Sequence, residues 1–594
     1  MTTAELLSFY AKRKTDFSLL LDQAKMKINW ISNLRLITAL AIVVLLYVGF
    51  SNFALLYGLI PLLFLFVLLM QKHGKLFQEK IHLENLVKIN QTEIAALQGD
   101  YTSLATGAEF IQVQHPYSYD LDLFGEGSLF QHINRCGTFS GKNTLANHLA
   151  HPLSTADAIQ KRQQAHAELI PKTEFRQHVL AYGMEVGDQP DDRNQLKEWI
   201  EHPSFLYPKK FYRYFLMIVP ALTVFTVSAA FIWSALTPGA VLLAGFQWAF
   251  LGFHLKRVTI FHQYISRKKM VLEKFARVLR IIQQEKFNSS LLKQISDKAH
   301  EADQKVQALA SLVNALDARQ NSMTNLVVNS LLLYDLQCIY RLEKWKDRNA
   351  ANLLSWIDLV SETEALCSIS TFAFSHNDFS FPTISTSLTI TAKGLGHPLI
   401  HAQERVTNDL EMNPHQSVLI ITGANMAGKS TFLRTLGVNV VLALAGAPVC
   451  ASAFECPVLQ LRSGMRTTDS LKDHQSYFYA ELNRLKSIMD ELRNDQPLLI
   501  LLDEILKGTN STDKQSGSIA LVKQLLHHPC LAVIATHDIV LGELEKEYPG
   551  SIRNFCFEAS IENEQLHFDY KLKTGVATKM NATFLMKKMG IIPA

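Results

Sequence analysis

No CxxC pair occurs anywhere in the 594-residue chain, and its seven cysteines (Cys136, Cys338, Cys367, Cys450, Cys456, Cys530 and Cys556) are scattered and odd in number. This argues against a disulfide framework and a zinc site, and for a reducing cytoplasm around the bulk of the chain. Charge of one sign is scarce too. A net charge of +4 is small for this length, so no global field announces a nucleic-acid partner and any basic face has to be local. Proline and glycine are missing from Val258 to about Leu316. With nothing to break it, that amphipathic stretch reads as one long helix or a helical pair. What the chain has in quantity is apolar residues, 48% by number with a mean hydropathy of +0.07. That is high for a purely soluble protein long enough for three or four domains.

The apolar residues concentrate in two pairs of nearly charge-free runs. Leu36 to Phe53 and Phe53 to Met70 are divided by Ser51-Asn52; Tyr214 to Leu236 and Gly239 to His254 are divided by Thr237-Pro238. Each approaches the roughly 20 residues that a helix needs to cross a bilayer. Two transmembrane hairpins fit better than buried core helices, which remain the bland alternative. Lys25, Lys27 and Arg35 precede the first pair and Lys72, Lys75 and Lys80 follow it. Lys209, Lys210 and Arg213 precede the second, with Lys256 and Arg257 after it. Positive flanks face the cytoplasm, so all the soluble mass is expected there, in a multi-pass protein of the cytoplasmic (inner) membrane. A long polar segment before Leu36, and no small-residue cleavage pattern, argue against a cleaved signal.

From Lys256 to Lys286 nine basic residues face two acidic ones. Attraction to anionic lipid explains this near the membrane; further along, a phosphate-contacting arm for DNA stays open.

Past His397-Pro398 short apolar strands alternate with helices, the pattern of a parallel α/β sheet. The strand Val418 to Ile421 runs into Gly423-Ala424-Asn425-Met426-Ala427-Gly428-Lys429-Ser430, and the helical Thr431 to Gly437 follows. This is GxxxxGKS between a strand and a helix. Glycines let backbone amides approach phosphates, Lys429 can reach the β- and γ-phosphates of ATP, and Ser430 can hold Mg²⁺. A second strand, Leu498 to Leu502, ends in Asp503-Glu504. There Asp503 suits a metal ligand and Glu504 a group that polarises the attacking water. A third, Ala532 to Thr536, ends in His537, placed to sense a γ-phosphate.

These segments resemble the MutS mismatch-repair ATPases. The run NDLEMNPHQSVLIITGANMAGKSTFLRTLG is similar to the family's GPNMxGKST loop, with Ala424 in place of its proline. RTTDSLKDHQSYFYAEL resembles the segment ending STFMxEM, with Asp469, Ser476 and Glu481 at matching positions and Tyr477 and Tyr479 substituted. LLDEILKGTNSTD is similar to LLDEIGRGTSTxD, ATHDIVLGEL to ATHxxEL, and YKLKTGVATKMNATFLMKKMGIIP to the closing helix. Weaker similarity reaches back to LFGEGSLFQHINRCGTFSGKNTLANHLAHPLS and Arg162-Gln163-Gln164, with Asn134 and Gly141 at comparable places in the helical core. The likeness spans roughly residues 110 to 594.

The resemblance implies an ABC-type P-loop ATPase domain joined to an all-α core and lever domain, working as a homodimer through the ATPase domains, with DNA as partner. Thr431 joins the loop residues 423–430 in binding nucleotide, and Asn425 faces the nucleotide. Lys429, Glu504 and His537 are the catalytic set, Ser430 and Asp503 hold Mg²⁺, and Ser476 reaches the opposite site in trans. The expected organisation is an N-terminal cytoplasmic segment (1–35), hairpin 1 (36–71), linker and first core (72–205), hairpin 2 (206–257), levers and second core (258–385) and the ATPase domain (386–594). Departures from the family are informative. The mismatch-reading domain is expected to be missing, and Phe124-Gly125-Glu126, which fits its F-x-E pattern, lies inside the core segment and reads as coincidence. The second hairpin interrupts the levers near where the family inserts its DNA clamp, and a C-terminal helix-turn-helix is not expected after Ala594. A membrane-coupled ATPase that touches no DNA is the rival reading.

Overall fold

The first apolar run is the distal half of a single helix, α1 (Thr3–Gly49). This is a computed structural model that describes residues 1–51, 53–185, 187, 192–265, 268–317, 322–466, 477–493, 496–562, 565–577 and 591–592. Thr2 and Glu5 form a capping box at the start of α1, satisfying amides that would otherwise be orphaned. The polar half of α1 is tied to the rest of the protein. Leu6 and Tyr10 are buried, and Arg13 donates to Gln177 Oε1 at 3.0 Å. After a 3₁₀ turn at Phe53–Gly58, α2 (Leu59–Leu97) returns antiparallel to α1.

A helical core follows: α3 (Leu129–Ile133), α4 (Phe139–Ala150), α5 (Ala156–Leu169), α6 (Thr173–Gly183) and α7 (Asp192–Glu201). The second hairpin is α8 (Lys210–Ala230) and α9 (Thr237–Ile265). Thr237-Pro238, read as its break, instead begins α9. A proline in the first helical turn costs nothing because its missing N–H would have no partner there, so the break lies between Phe231 and Leu236. Gln247 of α9 donates to Thr223 Oγ1 of α8 inside the hairpin, the kind of polar contact that joins helices in an apolar medium. Four helices carrying these runs are long and apolar enough to cross a membrane by length and composition. Their apolar surface is bare: Leu36, Val43, Phe64, Met217, Ile218 and Val241 are 61–67% exposed.

The proline-free stretch is neither one helix nor a simple pair. It holds the end of α9, then α10 (Lys269–Gln284) and α11 (Ser290–Asp317). The turn before α11 is set from a distance, by the Glu168 carboxylate accepting the N–H groups of Asn288 and Ser289, each at 2.7 Å. Short α12 (Ser322–Leu332) leads to α13 (Tyr334–Ser375), the longest lever. Leu216 and Leu251 at the base of hairpin 2 share one buried cluster with Leu309 and Leu336 of the levers.

The C-terminal part is mixed α/β. One sheet has the order β1 (Thr383–Ser385), β5 (Ala453–Pro457), β2 (Ile390–Leu395), β3 (Asn408–Met412), so sheet structure begins at Thr383, before the expected boundary at 386. The other runs β12 (Lys573–Thr574), β9 (Ile552–Phe557), β4 (Val418–Gly423), β8 (Cys530–Thr536), β7 (Leu498–Asp503), β6 (Gln460–Gly464). It is parallel except at β12. Helices α14 (Lys429–Leu444), α15 (Tyr477–Leu492), α16 (Ser511–Leu525) and α17 (Leu544–Glu547) accompany it, and β10 (Ala559–Glu562) pairs with β11 (Gln565–Phe568). Leu129 and Leu145 of the helical core join Leu419, Ile421 and Leu436 in a single cluster, which fixes the core against the sheet. Phe124 packs here, its ring 5.9 Å from Phe110 and 5.8 Å from Phe130, as expected of a core residue.

Candidate functional site

Strand β4 is buried at every residue, so the loop after it emerges at one fixed point of the sheet. At Gly423 (φ 152°) a Cβ would come within 2.6 Å of the Phe557 carbonyl oxygen, and Gly428 at the helix start has φ 108°. Both positions need glycine: the first for close approach, the second for a left-handed backbone. Met426 also has positive φ and points outward. The loop then turns into α14, whose first residues are Lys429, Ser430 and Thr431, offering the unpaired N–H groups that make a helix start an anion site.

Lys429 is 5% exposed, and its ammonium donates to the carbonyls of Gly423 at 2.7 Å and Ala424 at 2.9 Å. Burial pushes its pKa down, against the pull of Glu504 and Asp503. Those carboxylates arrive from β7, where Asp503 pairs in register with Ala535 of β8. Glu504 has φ 56°, and its N–H donates to the Ala535 carbonyl at 2.8 Å. Its carboxylate lies 3.4 Å from His537 Nδ1 and 3.5 Å from Lys507 Nζ. Burial would raise its pKa, but Lys507, His537 and Lys429 together hold it below the ordinary value. His537 Nε2 lies 3.5 Å from Lys514 Nζ.

A cleft of about 700 Å³ lies over the loop, lined by residues 424–426 and 428–431 together with Glu504, His397, Phe557 and Tyr570. Loop, lysine and carboxylate therefore meet in one cavity. Ala427 is buried beneath it. Ser476 and Asp469 fall outside the described residues, as does most of the segment likened to the closing helix. Its described start, Tyr570 to Ala577, is a loop containing β12 rather than a helix.

Sequence reasoning named Glu481 as a family match without its role, and missed Leu506, Tyr570 and Asp120, which also shape this site. Leu506 has φ 58° where the family pattern has glycine, a backbone costing an ordinary side chain about 1–2 kcal/mol. It is held by Glu481, whose Oε1 accepts the Leu506 N–H at 2.6 Å. Glu481 Oε2 is buried without a hydrogen-bond partner among the described residues. Tyr570 approaches Gly428 from above, 3.1 Å from where a Cβ would stand. Asp120 joins the helical core to the sheet edge: its buried carboxylate accepts from Ser463 Oγ at 2.6 Å, Met465 N at 3.2 Å and Arg466 N at 3.0 Å. Arg434 of α14 donates to the Asp120 carbonyl at 3.1 Å. The helix that begins at Lys429 thereby touches the core directly.

Phosphate loop, acidic strand end and parallel sheet define a P-loop nucleotide-binding domain seated on a helical core. The family described as MutS domain V matches residues 419–593, and that described as MutS domain III matches residues 117–191. Relatives named DNA mismatch repair protein MutS include those of Thermotoga petrophila (33% identical over 202 residues, 34% of this chain and 25% of the relative), Fervidobacterium nodosum (27% over 330 residues, 54% and 36%) and Chlorobium chlorochromatii (31% over 307 residues, 50% and 35%). These matches make the chain MutS-like over residues 117–191 and 419–593. Its matches span about a quarter to a third of the length of these curated relatives.

Proposed function

We propose that this chain is a membrane-anchored MutS-type ATP hydrolase that binds ATP with Mg²⁺, closes a homodimer through its ATPase domains and reopens it on hydrolysis, acting on DNA as a mismatch-repair-class protein. One observation carries the reading: the buried Lys429 ammonium is bonded to the carbonyls of Gly423 and Ala424 in its own loop and lines, with Glu504, a nucleotide-sized cleft. A cation bonded only to carbonyls there is poised to exchange them for β- and γ-phosphate oxygens, while the amides of residues 423–431 cradle the rest. The donor set also suits magnesium, with the Ser430 hydroxyl and the Asp503 carboxylate as its protein ligands; the ion supplies charge neutralisation on the phosphates.

Glu504, held ionised by its cationic neighbours, orients and polarises the attacking water. His537, against Glu504 on one side, senses the γ-phosphate on the other. Tyr570 offers an aromatic face beside the loop, and Ser476 reaches across to the second subunit's site. The contacts of Asp120 with α14 and the sheet edge give the helical core a direct link to the nucleotide loop.

The two hairpins cross the cytoplasmic membrane in four spans and leave the ATPase in the cytoplasm. The exposed apolar faces and the positive flanks support this. A second reading has a specific observation behind it: the base of hairpin 2 shares a buried cluster with the levers, which suits a stroke that moves the hairpins or a membrane partner and needs no DNA.

The deciding experiment is the ATPase rate of detergent-purified protein alone and with perfect, mismatched or branched DNA, at two salt concentrations. Salt-sensitive stimulation supports the DNA reading. A rate that ignores every DNA but responds to lipid replaces it with the second.

A further inference from the structure

The short helix between the levers, α12 (Ser322–Leu332), turns an asparagine toward the protein and apolar side chains away from it. Asn329 is buried, donates to Asn325 and accepts the N–H of Asp335 at 3.0 Å. Ser330 Oγ accepts the indole N–H of Trp248, on α9 of hairpin 2, at 2.7 Å. Leu326 and Val327 turn outward, each 56% exposed. A helix on a water-soluble core places these residues the other way round. A polar side facing protein and an apolar side facing out is favoured where the surrounding medium is itself apolar.

The position of α12 along hairpin 2 points to the same medium. Trp248 follows the start of α9 at Thr237 by eleven residues, about 16 Å from the outer turn at 1.5 Å per residue. Just after α12, Gln337 donates to the Leu216 carbonyl of α8 at 3.3 Å. Leu216 precedes the end of α8 at Ala230 by fourteen residues, or about 21 Å. In a hydrocarbon layer of about 30 Å both levels fall in the cytoplasmic half. With 11 residues, α12 is too short to span, and it packs against both helices of the hairpin.

The geometry points to α12 as a third membrane element, whose Leu326 and Val327 rest among the acyl chains of the cytoplasmic leaflet and seat the ends of both levers in lipid. This rests on the membrane reading of the hairpins and goes beyond it.

The test uses the full chain in nanodiscs of phosphatidylcholine and phosphatidylglycerol, carrying one environment-sensitive fluorophore at Val327→Cys, Val241→Cys or Glu301→Cys. All seven native cysteines are buried, so labelling favours the introduced thiol. We expect the Val327 and Val241 labels to be quenched by nitroxides on lipid acyl chains and to lose quenching by aqueous iodide, with the opposite at Glu301 on α11. Iodide quenching at Val327 with Val241 still protected overturns the seating of α12 while the hairpins stand. Iodide quenching at both overturns the membrane reading and this inference with it.

Discussion

Strand β8 and helices α8 and α9 are comparably apolar, yet every residue of β8 is buried while Met217, Ile218 and Val241 of the helices stand in the open. The strand's backbone bonds are made by its neighbours β4 and β7, so it is stable only inside a sheet. A helix makes its own backbone bonds and can stand alone in hydrocarbon. Which surface an apolar run presents thus depends on whether its backbone needs neighbours, and exposed apolar helices report on the surrounding solvent.

An acidic substitution in each region breaks or sharpens this comparison. Val533→Asp in β8 leaves an unpaired buried carboxylate, an expected loss of at least about 3–5 kcal/mol; nucleotide binding should vanish with the fold of the ATPase domain. Ile218→Asp on the outer face of α8 costs roughly 2.5–3.5 kcal/mol of insertion energy instead. It should lower the membrane-integrated fraction in cells while the ATPase domain still folds, as limited proteolysis would reveal. Equal loss of fold in both variants would mean that α8 is a core helix.

Within the site, Glu504→Gln should lower phosphate release about 100-fold or more, retain ATP and hold a dimer that sedimentation detects. A decline of only a few-fold would remove Glu504 from its role. Glu481→Ala frees the Leu506 amide from its buried acceptor, an expected cost of about 1–3 kcal/mol, and should lower kcat more than it raises KM for ATP.

The smallest effect concerns pH. Burial pushes the wholly buried His166 down to about 3, and its Nδ1 is 2.9 Å from Ser370 Oγ. Its folded pKa lies below its unfolded value of about 6.5, so the unfolded chain takes up the proton first and stability falls as pH drops from about 6.5 toward 3. Thermal unfolding in detergent between pH 6.5 and 5 should show this slope, and His166→Asn should make it shallower.

Much of the site was legible because the residues of a phosphate loop are contiguous and a strand end announces Asp503-Glu504. The supports were not. Glu481 meets Leu506 across 25 residues, and Asp120 meets Met465 across 345, separations that leave no local pattern. Tyr570 sits in a loop without periodicity. The break before α11 depends on Glu168 in another helix, and Thr237-Pro238 suits a helix start as well as a turn. In α12 the apolar residues look like core until the structure shows which way they face.

The most direct test is Mg²⁺-dependent phosphate release by wild-type protein and Lys429→Ala side by side in nanodiscs. The account predicts turnover by the wild type and none above background by the variant; equal turnover by the two would contradict it.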